Sequence, residues 1–109
     1  MALSGKQRRY LRSLGHALSP VVQIGRGGLT EAVVAAITQA LDSHELIKIK
    51  VGSASDLERQ EAADQAAQAT GAEVAQVLGN TVLLYRRHPE RPVIELPARE
   101  ERPGSFGDS

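Results

Sequence analysis

Between Pro20 and Val51 the chain spells out a strand, a glycine loop, a helix and a second strand, and such a unit has few ways to fold. Val21-Val22-Gln23-Ile24 is rich in β-branched residues, which suit a pleated strand. Gly25-Arg26-Gly27-Gly28 then turns the chain, and Thr30 is a good N-cap for a helix over about Glu31–Asp42. Val33, Val34, Ile37 and Leu41 recur at helical spacing, so one face of that helix is core. Leu46-Ile47-Lys48-Ile49-Lys50-Val51 alternates: Ile47, Ile49 and Val51 point one way, Lys48 and Lys50 the other, giving a half-buried strand with one wet face. A strand that returns through a helix pairs parallel with the first.

The flanks extend this unit. Ser4 followed by Gln7 is a capping-box spacing, and it opens a helix to about Leu14 with Leu11 and Leu14 inward. Gly15 reads as the C′ residue that ends the helix at positive φ. Ser55 with Glu58 repeats the capping-box spacing before an alanine-rich helix that Gly71 stops after Thr70. Its Leu57, Ala63, Ala66 and Ala67 are small enough, taken together, to pack closely on a sheet. Val74–Leu78 and Thr81–Arg86 flank Gly79-Asn80, a two-residue turn suited to a tight hairpin. Val93–Leu96 reads as a short last segment that docks on the domain. The expected fold class is α/β, in the order α-β-α-β-α-β-β, with a mixed four-stranded sheet packed with helices. One domain over residues 1–97 and a disordered tail over 98–109 follow, because the tail lacks apolar periodicity.

Composition narrows the chemistry. Aromatic residues make up only 3%, so the core must be aliphatic, and the absence of cysteine excludes disulfides and thiolate chemistry. No apolar run approaches the roughly 18 residues that span a bilayer, and the cytoplasm is the default location. The net charge is zero, but the charges fall in blocks. Residues 1–50 hold seven bases against three acids, and residues 51–80 hold one base against five acids. Such blocks suit one face for a polyanion and an opposite acidic face.

The glycine loop is the most informative local feature. Glycines let a backbone approach a ligand closely, and the first amides of the following helix carry partial positive charge that suits a phosphate. Arg26 adds a forked, permanently charged donor. A plain turn, in which the glycines only satisfy φ, explains the same residues equally well. A dinucleotide fingerprint would need glycine at position 30, which is Thr30, and an acid closing the second strand, where Lys50 and Val51 stand. A P-loop would need Gly-Lys-Ser/Thr, and a KH module would place its loop between two helices. His16, His44 and His88 show no ligand spacing, and no nucleophile motif surrounds Ser4 or Ser55. No enzyme constellation and no cofactor or metal site is expected.

Read together, several pieces resemble the YhbY-like proteins, single copies of the CRM (chloroplast RNA splicing and ribosome maturation) domain. These pieces are Leu3-Ser4 with Lys6-Gln7, Leu14-Gly15-His16, Pro20-Val21-Val22, and Gly25-x-x-Gly28-Leu29-Thr30-Glu31. His44-Glu45-Leu46-Ile47-Lys48, and Gly79-Asn80-Thr81 leading to Leu84-Tyr85-Arg86, complete the pattern over roughly residues 2–97. The resemblance implies a fold similar to the C-terminal domain of bacterial translation initiation factor three. It also implies RNA binding, on ribosomal RNA or large-subunit precursors, as a ribosome assembly factor. Gly25, Arg26, Gly27 and Gly28 would contact phosphate, and Lys6, Arg8, Arg9 and Arg12 would extend the basic surface. Lys48, Lys50, Arg86 and Arg87 rank second. The scarcity of aromatics favours recognition of shape over base stacking, and a monomer is the default. The rival reading is a protein-interaction module that docks a basic partner on the acidic third helix around Asp56–Asp64. A small-nucleotide enzyme is the third and weakest.

Overall fold

The computed structural model describes residues 3–55 and 57–98. The elements follow in the order α1 (Gly5–Gly15), β1 (Pro20–Ile24), α2 (Glu31–His44), β2 (Leu46–Val51), α3 (Arg59–Thr70), β3 (Glu73–Leu78) and β4 (Thr81–Tyr85). This is the expected α/β order. The four strands form one mixed sheet, β1-β2-β4-β3. β1 runs parallel to β2, and β4 pairs antiparallel with both β2 and β3.

The sheet is covered unequally on its two faces. Ile47, Ile49, Val82 and Leu84 pack with Ile24 against Ile37 and Leu41 of α2 and Ala62, Ala63 and Ala66 of α3. The alanines at the contact let α3 sit close to the strands. Complete burial of each of these branched side chains contributes about 1.5–3 kcal/mol. On the other face Leu46, Leu83, Tyr85 and Ala75 form a second core with Leu3 and Leu11, joined by Leu18, Ile94 and Leu96. The face expected to be wet is therefore covered at one end. Lys50 is exposed, but Lys48 is half-buried.

Several boundaries differ from the sequence reading, each for a local reason. The Ser4–Gln7 capping box forms as expected, with both reciprocal bonds present. Gly15, however, is not a positive-φ stop. It is the last residue of α1, it is buried, and a Cβ there would lie 2.8 Å from Leu83 Cδ1. Glycine is needed for close approach, and His16 caps the helix in right-handed conformation. Leu14 is not inward but 37% exposed. α2 continues to His44, two residues past the expected end. The Ser55–Glu58 box is replaced by a Glu58–Glu61 box. Ser55 instead binds the Leu57 amide through its hydroxyl at 3.1 Å, closing a local turn that delays the helix to Arg59. Gly71 does end α3 at φ 73°.

The segment after β4 docks without forming a strand. Glu45, which joins α2 to β2, is 2% exposed and holds φ at 62°. Its carboxylate accepts the backbone N–H groups of His88, Val93 and Ile94 at 2.8–2.9 Å. The strap then carries Ile94 and Leu96 into the second core. It ends where the Pro97 carbonyl accepts Gln7 Nε2 at 3.1 Å. Most of the predicted tail, residues 99–109, lies outside the described residues, as does Asp56.

Candidate nucleic-acid interface

Three loops meet at one end of the sheet. Parallel strands β1 and β2 both finish there, and the hairpin turn between β3 and β4 joins them. Crevices outside the carboxyl ends of parallel strands are the usual place for ligands in open α/β sheets. The Gly52 amide donates to the Ile24 carbonyl at 2.8 Å, and the Val51 amide donates to the Asn80 carbonyl at 2.7 Å, so the loops are tied together.

The Gly25–Gly28 loop is a compact turn. The Gly28 amide donates to the Gly25 carbonyl at 3.1 Å, and the Thr30 amide to the Gly28 carbonyl at 3.0 Å. Gly27 and Gly28 have φ of 92° and 65°, where a side chain is strained. A Cβ on Gly28 would also meet Leu57 at 3.2 Å. Gly25 differs, because nothing lies within 4 Å of the Cβ it lacks. A side chain there would stand in open space. Thr30 caps the Val33 amide at 3.2 Å, as its sequence position suggests. Arg26 is exposed at the tip. Glu31 in the first turn of α2 opposes an anion on the helix end itself. A phosphate there would be held by loop amides and Arg26 more than by the helix dipole.

The remaining basic residues are strung out along the molecule. Lys50 pairs in register with Gln23 and Thr81, just below the loops, and Lys48 pairs with Leu83 further down the same face. Alternate residues on a strand stand about 7 Å apart. Next along this face comes α1, whose Leu11 and Gly15 press on the sheet. Gln7 and Leu14 share one flank of that helix, against Pro97 and Ile94 of the strap. Helical spacing puts Arg8 and Arg12, one turn apart, on the opposite flank, away from the strap. Lys6 and Arg9 are exposed on the same helix.

Arg86 and Arg87 do not join this strip. They follow the far end of β4, opposite the hairpin turn. The Arg86 guanidinium donates to the Thr70 carbonyl at 2.8 Å and pairs with Asp42, so it ties α2 to the end of α3. Arg87 is exposed beside the strap. One residue at the loop end escaped the sequence reading. Arg59 donates to the Gly79 carbonyl at 3.1 Å, between α3 and the hairpin turn. The Glu58-x-x-Glu61 spacing would have put it in the first turn of α3, and hence at this end.

α3 carries the opposite charge. Glu58 and Glu61 cap its start, and Asp64 accepts Gln60 Nε2 at 3.1 Å. This acidic end stands beside the glycine loop, through Leu57 against Gly28. Phosphates are therefore disfavoured over α3 and favoured over the Lys50–Lys48 face. Among the described residues no group of histidines and carboxylates could hold a metal ion, and no helix is long and apolar enough to cross a membrane.

Comparison with known proteins places these features in a wider set. Residues 3–86 match the family model of the CRS1/YhbY (CRM) domain. The chain is 37% identical over 95 residues to "Probable RNA-binding protein YqeI" of Bacillus subtilis, covering 87% of this chain and 99% of that protein. It is 42% identical over 97 residues to a Haemophilus influenzae protein named "RNA-binding protein", covering 89% and 97%. A solution structure from Staphylococcus aureus, of a hypothetical protein assigned there as a candidate RNA binder, superposes with a TM-score of 0.75 at 42% identity. That match spans 87% of this chain and 99% of the other.

Proposed function

This chain belongs to the CRS1/YhbY (CRM) domain family, and from that premise we propose that it is a non-enzymatic RNA-binding protein whose target is ribosomal RNA in large-subunit precursors. The observation that carries the reading is the Gly25–Gly28 loop. It lies at the carboxyl ends of two parallel strands, with open space where a Gly25 side chain would stand and an exposed Arg26. RNA backbone enters at this loop. It continues over Lys50 and Lys48 towards Arg8 and Arg12, with Lys6 and Arg9 adding charge. Arg59 joins the surface at the hairpin turn. Arg86 serves the fold, and Arg87 stands outside the track.

Phosphate contacts position a protein without reading sequence. The unit that binds is the domain over residues 1–97, acting as a monomer in the cytoplasm without a cofactor. The names of the relatives support RNA as the ligand. Ribosome assembly as the setting is what the resemblance to the YhbY-like proteins implies.

Sedimentation of cell lysate at low and high salt tests this reading. Salt-sensitive migration with large-subunit particles or their precursors is the expected result. Migration only with free protein at both salts would remove ribosomal RNA as the target. It would favour the acidic α3 as a docking surface for a basic protein.

A further inference from the structure

Beside the basic strip lies an apolar groove of about 530 Å³. It is walled by Leu14, Leu18, Val21, His44, Leu46 and Ile94. Two of these apolar residues are exposed, Leu14 at 37% and Val21 at 56%. The groove lies between the end of α1, the edge strand β1 and the end of α2. Lys48 also lines it. That lysine stands on the same face as Lys50, two residues nearer the glycine loop. The groove is thus continuous with the basic strip.

We propose that this groove is a subsite for one unstacked nucleobase of the bound RNA, with His44 stacking on the base and Lys48 pairing with the adjoining phosphate. The inference rests on the RNA-binding reading and deepens it. Three observations select this occupant. The walls are aliphatic, which suits the face of a base and not its phosphate. The lining carries the two basic side chains His44 and Lys48 and, among its ten residues, no acid. The carboxylate of Glu45, next to His44 in the chain, is turned into the strap and held by three backbone amides. Finally, His44 supplies a planar ring at the wall, and imidazole is one of the rings on which splayed RNA bases stack. A scarcity of aromatics argues against a long stacking platform, yet one ring is enough for one base.

The test compares three dodecamers by fluorescence anisotropy: oligouridylate, oligoadenylate and an abasic ribose-phosphate strand. Wild type is expected to bind the base-bearing strands about fivefold or more tightly than the abasic one, the scale of a single base stack. His44→Ala and Leu14→Gln both alter exposed positions. Each is expected to abolish most of that preference while leaving abasic binding unchanged and the protein folded. Equal affinity of wild type for all three strands would overturn the subsite and leave RNA binding standing. Failure to bind any strand would overturn both. A base preference that survives in both variants would put the base elsewhere and overturn the assignment. So would a concentration-dependent dimer that Leu14→Gln abolishes with base preference intact, since a second copy would then cover the groove.

Discussion

The carboxylate of Glu45 accepts the backbone amide of Ile94 at 2.8 Å across 49 residues of sequence. With the amides of Val93 and His88 on the same carboxylate, this contact fastens the strap beneath α1. Burial pushes the Glu45 carboxyl up. The three amides and the neighbouring His88 outweigh it and leave the group below its ordinary value of 4.5.

Glu45→Gln is therefore expected to cost about 1–3 kcal/mol, since the amide oxygen can still serve Val93 and Ile94 but its NH2 group faces the His88 donor. Denaturant unfolding measures the loss. Tryptic cleavage after Arg87, next to the His88 amide that Glu45 holds, should also accelerate, reporting release of the strap. A depressed carboxyl contributes stability above its unfolded value and loses it as pH falls through the folded one. The wild-type advantage over Glu45→Gln should thus hold above about pH 4.5 and decline below it. An advantage unchanged at lower pH would refute the latch.

The two ends of the glycine loop should separate folding from binding. Gly28→Ala places a side chain at positive φ and against Leu57, with an expected loss of about 1–2 kcal/mol. Gly25→Ala meets nothing within the protein and should leave the unfolding midpoint nearly unchanged. If RNA approaches the backbone at Gly25, that variant should nonetheless bind less tightly. Undiminished affinity would reduce the loop to a turn.

Arg26→Ala probes the charge at the loop tip. If about four phosphates are neutralised, log affinity should fall against log salt with a slope of roughly −3 to −4. The variant should weaken binding and flatten that slope by about one unit. Titrations at three or more salt concentrations decide it, and an unchanged slope would remove Arg26 from the contact.

Gly15→Ala should destabilise by about 1–3 kcal/mol, because the new methyl meets Leu83 in a packed core. The cost should shrink in a Leu83→Val background, where the side chain is shorter. A double-mutant cycle reads the coupling, and additive losses would show that the two residues do not meet.

The Tyr85 hydroxyl is buried without a hydrogen-bond partner among the described residues. Burial pushes its ionisation up, and the Glu45 charge adds to this. Tyr85→Phe removes an unsatisfied polar atom and should raise stability by about 1 kcal/mol, measured by thermal unfolding. A loss of similar size would reveal a partner for the hydroxyl.

Much of the candidate site is legible in the sequence because it depends on local chemistry. Thr30, the positive-φ glycines and the exposed Arg26 are properties of a few neighbouring residues, and the loop lies where the strand–loop–helix order puts it. The structural ties of Arg86 leave no mark in the sequence, because its partners, Asp42 and Thr70, are distant in the chain. Arg59 is hidden in the sequence because Ser55-x-x-Glu58 offers an earlier helix start than the Glu58–Glu61 box that forms. His44 shows no ligand spacing in the sequence, and only the approach of α1 and the strap makes its surroundings a groove.

The sequence by itself determined the order of elements, the parallel first pair of strands, the hairpin and the glycine loop. Each rests on periodicity, capping or turn chemistry within a span of a few residues. Only the tertiary structure decided that α1 crosses the lysine-bearing face, with Gly15 against Leu83, and that Glu45 fastens the strap beside it. These contacts join residues far apart in the chain. Their partners are chosen by shape fit and by the need to satisfy a buried charge, neither of which leaves a periodic trace in the sequence.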